Sequence, residues 1–189
     1  MTPLIAFFDA NVLYPAGLRS FLMYLALTGA FHAKWSSDVH EEWISNLLIN
    51  RPGLTRRQLE RTRRLMDKNA YGAVVKGYES LIPGLTLPDP DDRHVLAAAI
   101  RAGANIIVTK NLKDFPLEVV QKFKIEPQHP DVFILHLIDL APEKVRDAAE
   151  AHRKSLKKPP KTVEEYLTML ELQGIPQTVL ALRPLLARA

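Results

Sequence analysis

LPDPDDRHVLAAAIRAGANIIVTKNLKDF, residues 87–115, is the stretch from which the rest of the chain can be read. Asp89 has the type and place of a helix N-cap, Pro90 of a first helical residue, and Asp91 and Asp92 fall in the first turn. Val95, Leu96, Ala99 and Ile100 recur at helical spacing and predict one buried face. Gly103 closes the helix. The apolar run from Asn105 to Val108 then reads as a strand buried on both sides. Asn111 and Asp114 follow in a polar turn. Helix, glycine, buried strand and polar exit in that order are the unit of a parallel α/β sheet.

Working outward, the same grammar repeats. Residues 4–8, LIAFF, form a continuous apolar run that stops at Asp9. Phe31 to Trp35 is a second short strand, and Ser36, Ser37 and Asp38 are candidate caps for a helix bearing Val39, Trp43 and Leu47. Thr55 to Gln58 fits the S/T-x-x-E/Q capping box, as does Thr162 to Glu165. Leu85 to Leu87 is a candidate extended segment, and Lys124 to Glu126 a last edge strand. Helices then follow from Pro130, Pro142, Thr162 and Gln177. The expectation is an α/β fold with a central parallel sheet of four to five strands and additional C-terminal helices. The chain divides on this reading into residues 1–140 and a helical extension, 141–189.

Composition narrows the chemistry. A chain of 189 residues with 47% hydrophobic residues can bury its own core. It has no cysteine, which removes disulfides and thiolate metal sites and suits a reducing cytoplasm. The apolar run at the N-terminus is too short for a leader, and no stretch approaches the ~20 apolar residues of a membrane span. A net charge of +4 permits an anionic partner.

Polar residues that leave the carboxyl ends of parallel strands build sites. Asp9 leaves the first strand, Glu41 and Glu42 lie in the first turn of the helix after the second, and Asp92 follows Leu85–Leu87. Asn111 and Asp114 follow the strand ending at Val108. Gathered at one sheet edge, such carboxylates repel and raise one another's pKa values, and a cation removes that cost. Oxygen-only ligands select a hard ion, Mg²⁺ or Mn²⁺, which commonly engages substrate phosphates. Taken singly, the acids of the opening stretch are also ordinary helix caps.

In order and spacing these segments resemble the PIN-domain nucleases, which include the toxin ribonucleases of VapBC-type toxin–antitoxin pairs. FFDANVLYP, SSDVHEEW, DDRHVLAAAI and IIVTKNLKDF are similar to that family's four site-bearing segments, across roughly residues 4–128. The resemblance implies a three-layer α/β/α fold. It implies Asp9, Glu42 and Asp92 as metal-holding catalytic acids, with Glu42 aligning better than Glu41. Asn111 stands where the family commonly has Asp; in this reading it is the fourth catalytic position, able to ligate through its carbonyl oxygen or orient a water, and Asp114 is the candidate compensating metal ligand. Asn11, Thr109, Asp89 and Asp91 are supporting residues in this reading. The implied reaction is metal-dependent hydrolysis of RNA, leaving 5′-phosphate and 3′-hydroxyl ends. A cognate antitoxin protein, a homodimer and a cytoplasmic location are implied with it.

Between Arg51 and Lys68 seven Lys/Arg face two acids, a local net of +5. Arg57, Arg61, Arg64 and Lys68 are spaced i, i+4, i+7 and i+11, one helical stripe suited to a phosphate backbone. The plainer alternative is a solvated face on which Glu60 pairs with Arg63 and Arg64. Tyr71 and Tyr78 are candidates for base stacking, with core or surface packing the plainer reading of either. Two other functions compete. A haloacid-dehalogenase-type phosphatase wants a second Asp two residues after the first, where this chain has Asn11. A catalytically degenerate PIN-like RNA-binding module is left open by Asn111.

Overall fold

The computed structural model describes residues 4–187. Met1–Pro3, part of the segment read for a leader, lie outside it. The chain forms two compact units. One comprises residues 4–14 together with Phe31–His129; the other comprises Pro15–Ala30 and residues 130–187.

The first unit is built on a five-stranded sheet. In chain order it contains β1 (Ile5–Phe8), α1 (Ala10–Leu13), β2 (His32–Ser36), α3 (Ser37–Asn50), α4 (Arg56–Asn69), β3 (Val74–Val75), α5 (Arg93–Arg101), β4 (Ile106–Val108), α6 (Leu117–Val120) and β5 (Glu126–Gln128); here α2 is reserved for the helix of the second unit that intervenes at Ala16–Leu27. All strand pairs are parallel, in the order β3-β2-β1-β4-β5. The order runs outward from β1 in both directions, so right-handed crossovers place the connections from β1 to β3 on one face of the sheet and those from β3 to β5 on the other. This is the α/β/α arrangement expected. β1 and β4 are buried almost throughout, with Ala6, Phe7, Phe8, Ile107 and Val108 at 0% exposure. That burial is why their sequences are continuous apolar runs rather than alternating ones.

The third strand is not where Leu85–Leu87 suggested. Val74–Val75 pairs with Trp35 and Ser36 of β2, while Leu85–Leu87 forms no ladder and follows a 3₁₀ turn over Glu79–Gly84. Pro83 and Pro88 flank that segment, and a proline donates no ladder hydrogen bond. The last strand begins at Glu126 rather than Lys124, because Lys124 is left-handed at φ 60°. Helix α3 starts at Ser37, capped by the Ser36 hydroxyl accepting from Val39 N–H at 3.1 Å. Glu41 and Glu42 therefore lie beyond its first turn.

A buried polar chain joins β2, α3 and α4. Trp43 Nε1 donates to His40 Nδ1 at 3.0 Å, which leaves the imidazole proton on Nε2, 2.9 Å from Asp67 Oδ1. Trp35 Nε1 donates to the same Asp67 oxygen at 2.8 Å. Burial holds the His40 pKa below its ordinary value against the pull of Asp67, so the imidazole is neutral at pH 7.

The second unit packs α2 against α8 (Pro142–Ser155) and α9 (Val163–Glu171), and α7 (Pro130–Leu140) against α8 and α10 (Pro176–Leu186). Asp131 of α7 caps α10 from outside it, accepting from Gln177 N at 3.0 Å and Thr178 N at 2.7 Å. His152 is fully buried between the rings of Phe21 and Tyr24, with Tyr166 hydroxyl 3.0 Å from its Nδ1. The boundary expected at residues 140 and 141 follows chain order. By packing, Pro15–Ala30 groups with residues 130–187, because α2 lies against α8 and α9. Among the described residues no helix is long and apolar enough to cross a membrane.

Candidate active site

The sheet reverses its order between β1 and β4, and the crevice beyond their carboxyl ends is where an open parallel sheet can hold a ligand. Asp9 sits there. Its backbone continues β1, with Asp9 N–H donating to Val108 O at 3.1 Å, and its side chain caps α1. One carboxylate oxygen accepts from Ala10 N–H at 2.6 Å. The other accepts from Asn11 Nδ2 at 2.6 Å and Thr109 Oγ1 at 2.7 Å. Asn11 also reaches across to β4's exit, donating to Thr109 Oγ1 at 3.0 Å and accepting from Lys110 N–H at 2.9 Å. Asp9 is 3% exposed and so cannot rotate freely among these donors.

Burial, and then the charge of Glu42, push Asp9 up to about 6 even though the Thr109 and Ala10 hydrogen bonds oppose the shift. Asp92 is partly buried after the 3₁₀ turn Pro90–Asp92 and is pushed up to about 7. Burial leads there too, followed by the charges of Asp9, Asp114, Asp89 and Glu42. Carboxylates from four separate segments therefore share one electrostatic neighbourhood, whose common repulsion a cation would relieve.

Glu41 and Glu42 are separated by their partners. Glu41 turns to α4, where Arg56 grips both its oxygens at 3.0 and 2.8 Å and Ser45 Oγ donates at 2.9 Å. Those contacts, Arg56 first, hold its pKa below the usual range. Glu42 turns toward the acids, with Oε2 3.5 Å from His94 Nε2. From the sequence alone His94 reads first as a surface or packing residue and only second as one that meets substrate. Burial disfavours its proton, but Glu42, then Asp38 and Asp9, prevail and raise its pKa. Asp38 was read only as a cap candidate. Its Oδ2 accepts from Tyr78 hydroxyl at 2.7 Å. That ring is 1% exposed, which removes Tyr78 as a stacking platform.

At the other edge Asn111 and Asp114 face each other, the Asn111 amide donating to Asp114 Oδ2. Asn111 N–H donates to Thr109 Oγ1 at 3.0 Å, so the hydroxyl that supports Asp9 also sets this turn. Asp89 caps its turn, accepting from Asp91 N–H at 2.9 Å, and Asp91 is exposed. The donor set is oxygen-rich and anionic, which fits a hard divalent ion. Among the described residues no three acidic or imidazole side chains converge on one point at ligand distance. The acids form a shared field rather than a finished coordination shell.

Residues 6–113, more than half of the chain, match the family model described as PIN domain. The chain belongs to the PIN-domain family. Residues 130–184, which span α7 to α10, match a second model, described as VapC50 C-terminal domain. A relative in Mycobacterium tuberculosis (strain ATCC 25618 / H37Rv), named "Putative ribonuclease VapC50", is 45% identical over 71 residues. The matched stretch is 38% of this chain and 41% of that relative. No solved structure matches.

Proposed function

We propose that this protein is a divalent-metal-dependent endoribonuclease, the toxin of a toxin–antitoxin pair. The observation that carries the reading is the gathering of Asp9, Glu42, Asp92 and Asp114 around the switch point of the sheet, where burial and mutual repulsion push Asp9 and Asp92 up from the usual carboxylate range. Family membership and the name of the relative support the same chemistry. Asp9, Glu42, Asp92 and Asp114 would hold Mg²⁺ or Mn²⁺, and such an ion supplies a Lewis acid for the charge that grows on a phosphodiester under attack by water. Asn11 and Thr109 both donate to one Asp9 oxygen and hold that carboxylate in place. Asn111 restrains Asp114 through its amide instead of contributing a charge of its own. Asn11 cannot donate a carboxylic proton, and its amide is committed to Asp9 and Thr109, which disfavours the phosphatase alternative. Cytoplasmic location, an antitoxin partner and a homodimer belong to the same proposal.

The test is cleavage of a mixed RNA pool with Mn²⁺ by the wild type and by Asp9→Ala. Metal-dependent cleavage by the wild type alone is expected. Equal cleavage by both, or none by the wild type with any divalent ion, defeats the reading. Growth arrest on expression, relieved by Asp92→Asn, distinguishes a toxin from a housekeeping nuclease.

A further inference from the structure

Helix α4 displays charge with a geometry that packing does not require. Its start is fixed by the Thr55–Gln58 capping box. At 3.6 residues per turn, Arg57, Arg61, Arg64 and Lys68 fall within an arc of ~60° and span ~16 Å of helix. All four are exposed. The buried positions, Leu59 and Met66, lie on the opposite side, so the stripe points straight into solvent. The acids of the region are used elsewhere: Glu60 is shared by Arg56 and Arg63, each at 3.8 Å, and Asp67 lies 3.9 Å from Arg63. Among the described residues none of the four stripe cations forms a salt bridge.

Tyr71 stands three residues beyond Lys68 and is 100% exposed. A lone exposed ring is ordinary. This one is displayed on a fixed turn. Ala73 N–H donates to Ala70 O at 3.0 Å, Trp35 N–H to Ala73 O at 3.0 Å, and Lys34 Nζ to Gly72 O at 2.6 Å. Gly72 takes the positive φ of 74° that the turn needs and an L side chain resists. The cationic track thus ends in an aromatic face held in place by the sheet.

We propose that the outer face of α4 and Tyr71 form one binding surface for single-stranded RNA, the four cations taking backbone phosphates and the Tyr71 ring taking a base. A stripe of cations alone would grip any polyanion. The ring adds a preference for unpaired bases, because stacking needs an open base face that a duplex hides. The choice of RNA over other single strands rests on the ribonuclease reading; the surface itself does not.

Binding is measured by fluorescence anisotropy on full-length Asp9→Asn, which separates binding from cleavage. The probes are a labelled 12-nucleotide oligouridine, the same length as a duplex, and an abasic ribose-phosphate strand. Oligouridine is expected to bind at least about fivefold tighter than the abasic strand. Tyr71→Ala should abolish that difference and leave the salt dependence unchanged. Arg61→Gln and Arg64→Gln should each lower the slope of log affinity against log salt by about 0.7. Equal affinity for all three probes, a Tyr71→Ala variant that keeps the preference, or slopes untouched by the arginine changes would overturn the proposal. Wild type that binds oligouridine as expected but cleaves nothing would instead overturn the ribonuclease reading and leave this surface standing.

Discussion

Replacing Asp9 by Asn removes a charge that the fold holds at a cost, and the cost can be worked out. Asp9 is 3% exposed and titrates at about 6, against 3.8 for a free side chain. That rise corresponds to roughly 3 kcal/mol. The folded pKa is the higher one, so this contribution is fully present below 3.8 and is lost as pH rises through 6. About half of the loss, roughly 1.5 kcal/mol, falls between pH 5 and pH 8. Asn does not titrate. Its amide nitrogen also replaces one acceptor oxygen, facing either Ala10 N–H or the Asn11 and Thr109 donors, which costs about 1 kcal/mol at every pH. In EDTA, urea unfolding of Asp9→Asn and wild type should therefore diverge in the variant's favour by roughly 1.5 kcal/mol from pH 5 to pH 8. Loss of the charge also relieves Asp92, which widens the divergence. Adding Mn²⁺ should stabilise the wild type at pH 8 and leave the variant unmoved. A gap independent of pH in EDTA would refute the electrostatic argument, and equal stabilisation of both proteins by Mn²⁺ would refute Asp9 as a ligand.

Other outcomes follow from neighbouring parts of the molecule. Glu42→Gln should abolish single-turnover cleavage, whereas Glu41→Gln should retain it and cost at most about 1 kcal/mol of stability, the worth of an exposed ion pair; the reverse pattern would exchange the roles of these two residues. Burial depresses His152 to about 4, and its Nε2 has no partner. An unfolded chain binds this proton below about 6.5 and the folded one does not, so stability should fall by roughly 3 kcal/mol as pH drops from 6.5 through 4. His152→Phe should flatten that limb of the denaturation profile. Asp67→Ala strips the acceptor from both Trp35 Nε1 and His40 Nε2. It should cost about 2–3 kcal/mol in urea unfolding, since buried donors left without partners carry their full desolvation penalty.

The sequence by itself determined the features that arise from nearest neighbours. Apolar runs ending at Asp9 and Val108, the glycine at 103 with positive φ, and the capping boxes at Thr55 and Thr162 each satisfy a local steric or hydrogen-bonding need. Their alternation fixed the parallel sheet, and the strand exits marked the acids. Only the tertiary structure decided which of two adjacent glutamates faces the others, because Arg56, fifteen residues away, claims Glu41. It also decided that Val74–Val75 rather than Leu85–Leu87 joins the sheet, because β2 offers its edge there. His94 and Asp38 entered the site the same way: nothing in their local sequence distinguishes a packing histidine from one lying beside Glu42. The bond from Thr109 to Asp9 spans 100 residues of chain. Such a contact arises from the closure of the sheet, and no local pattern carries it.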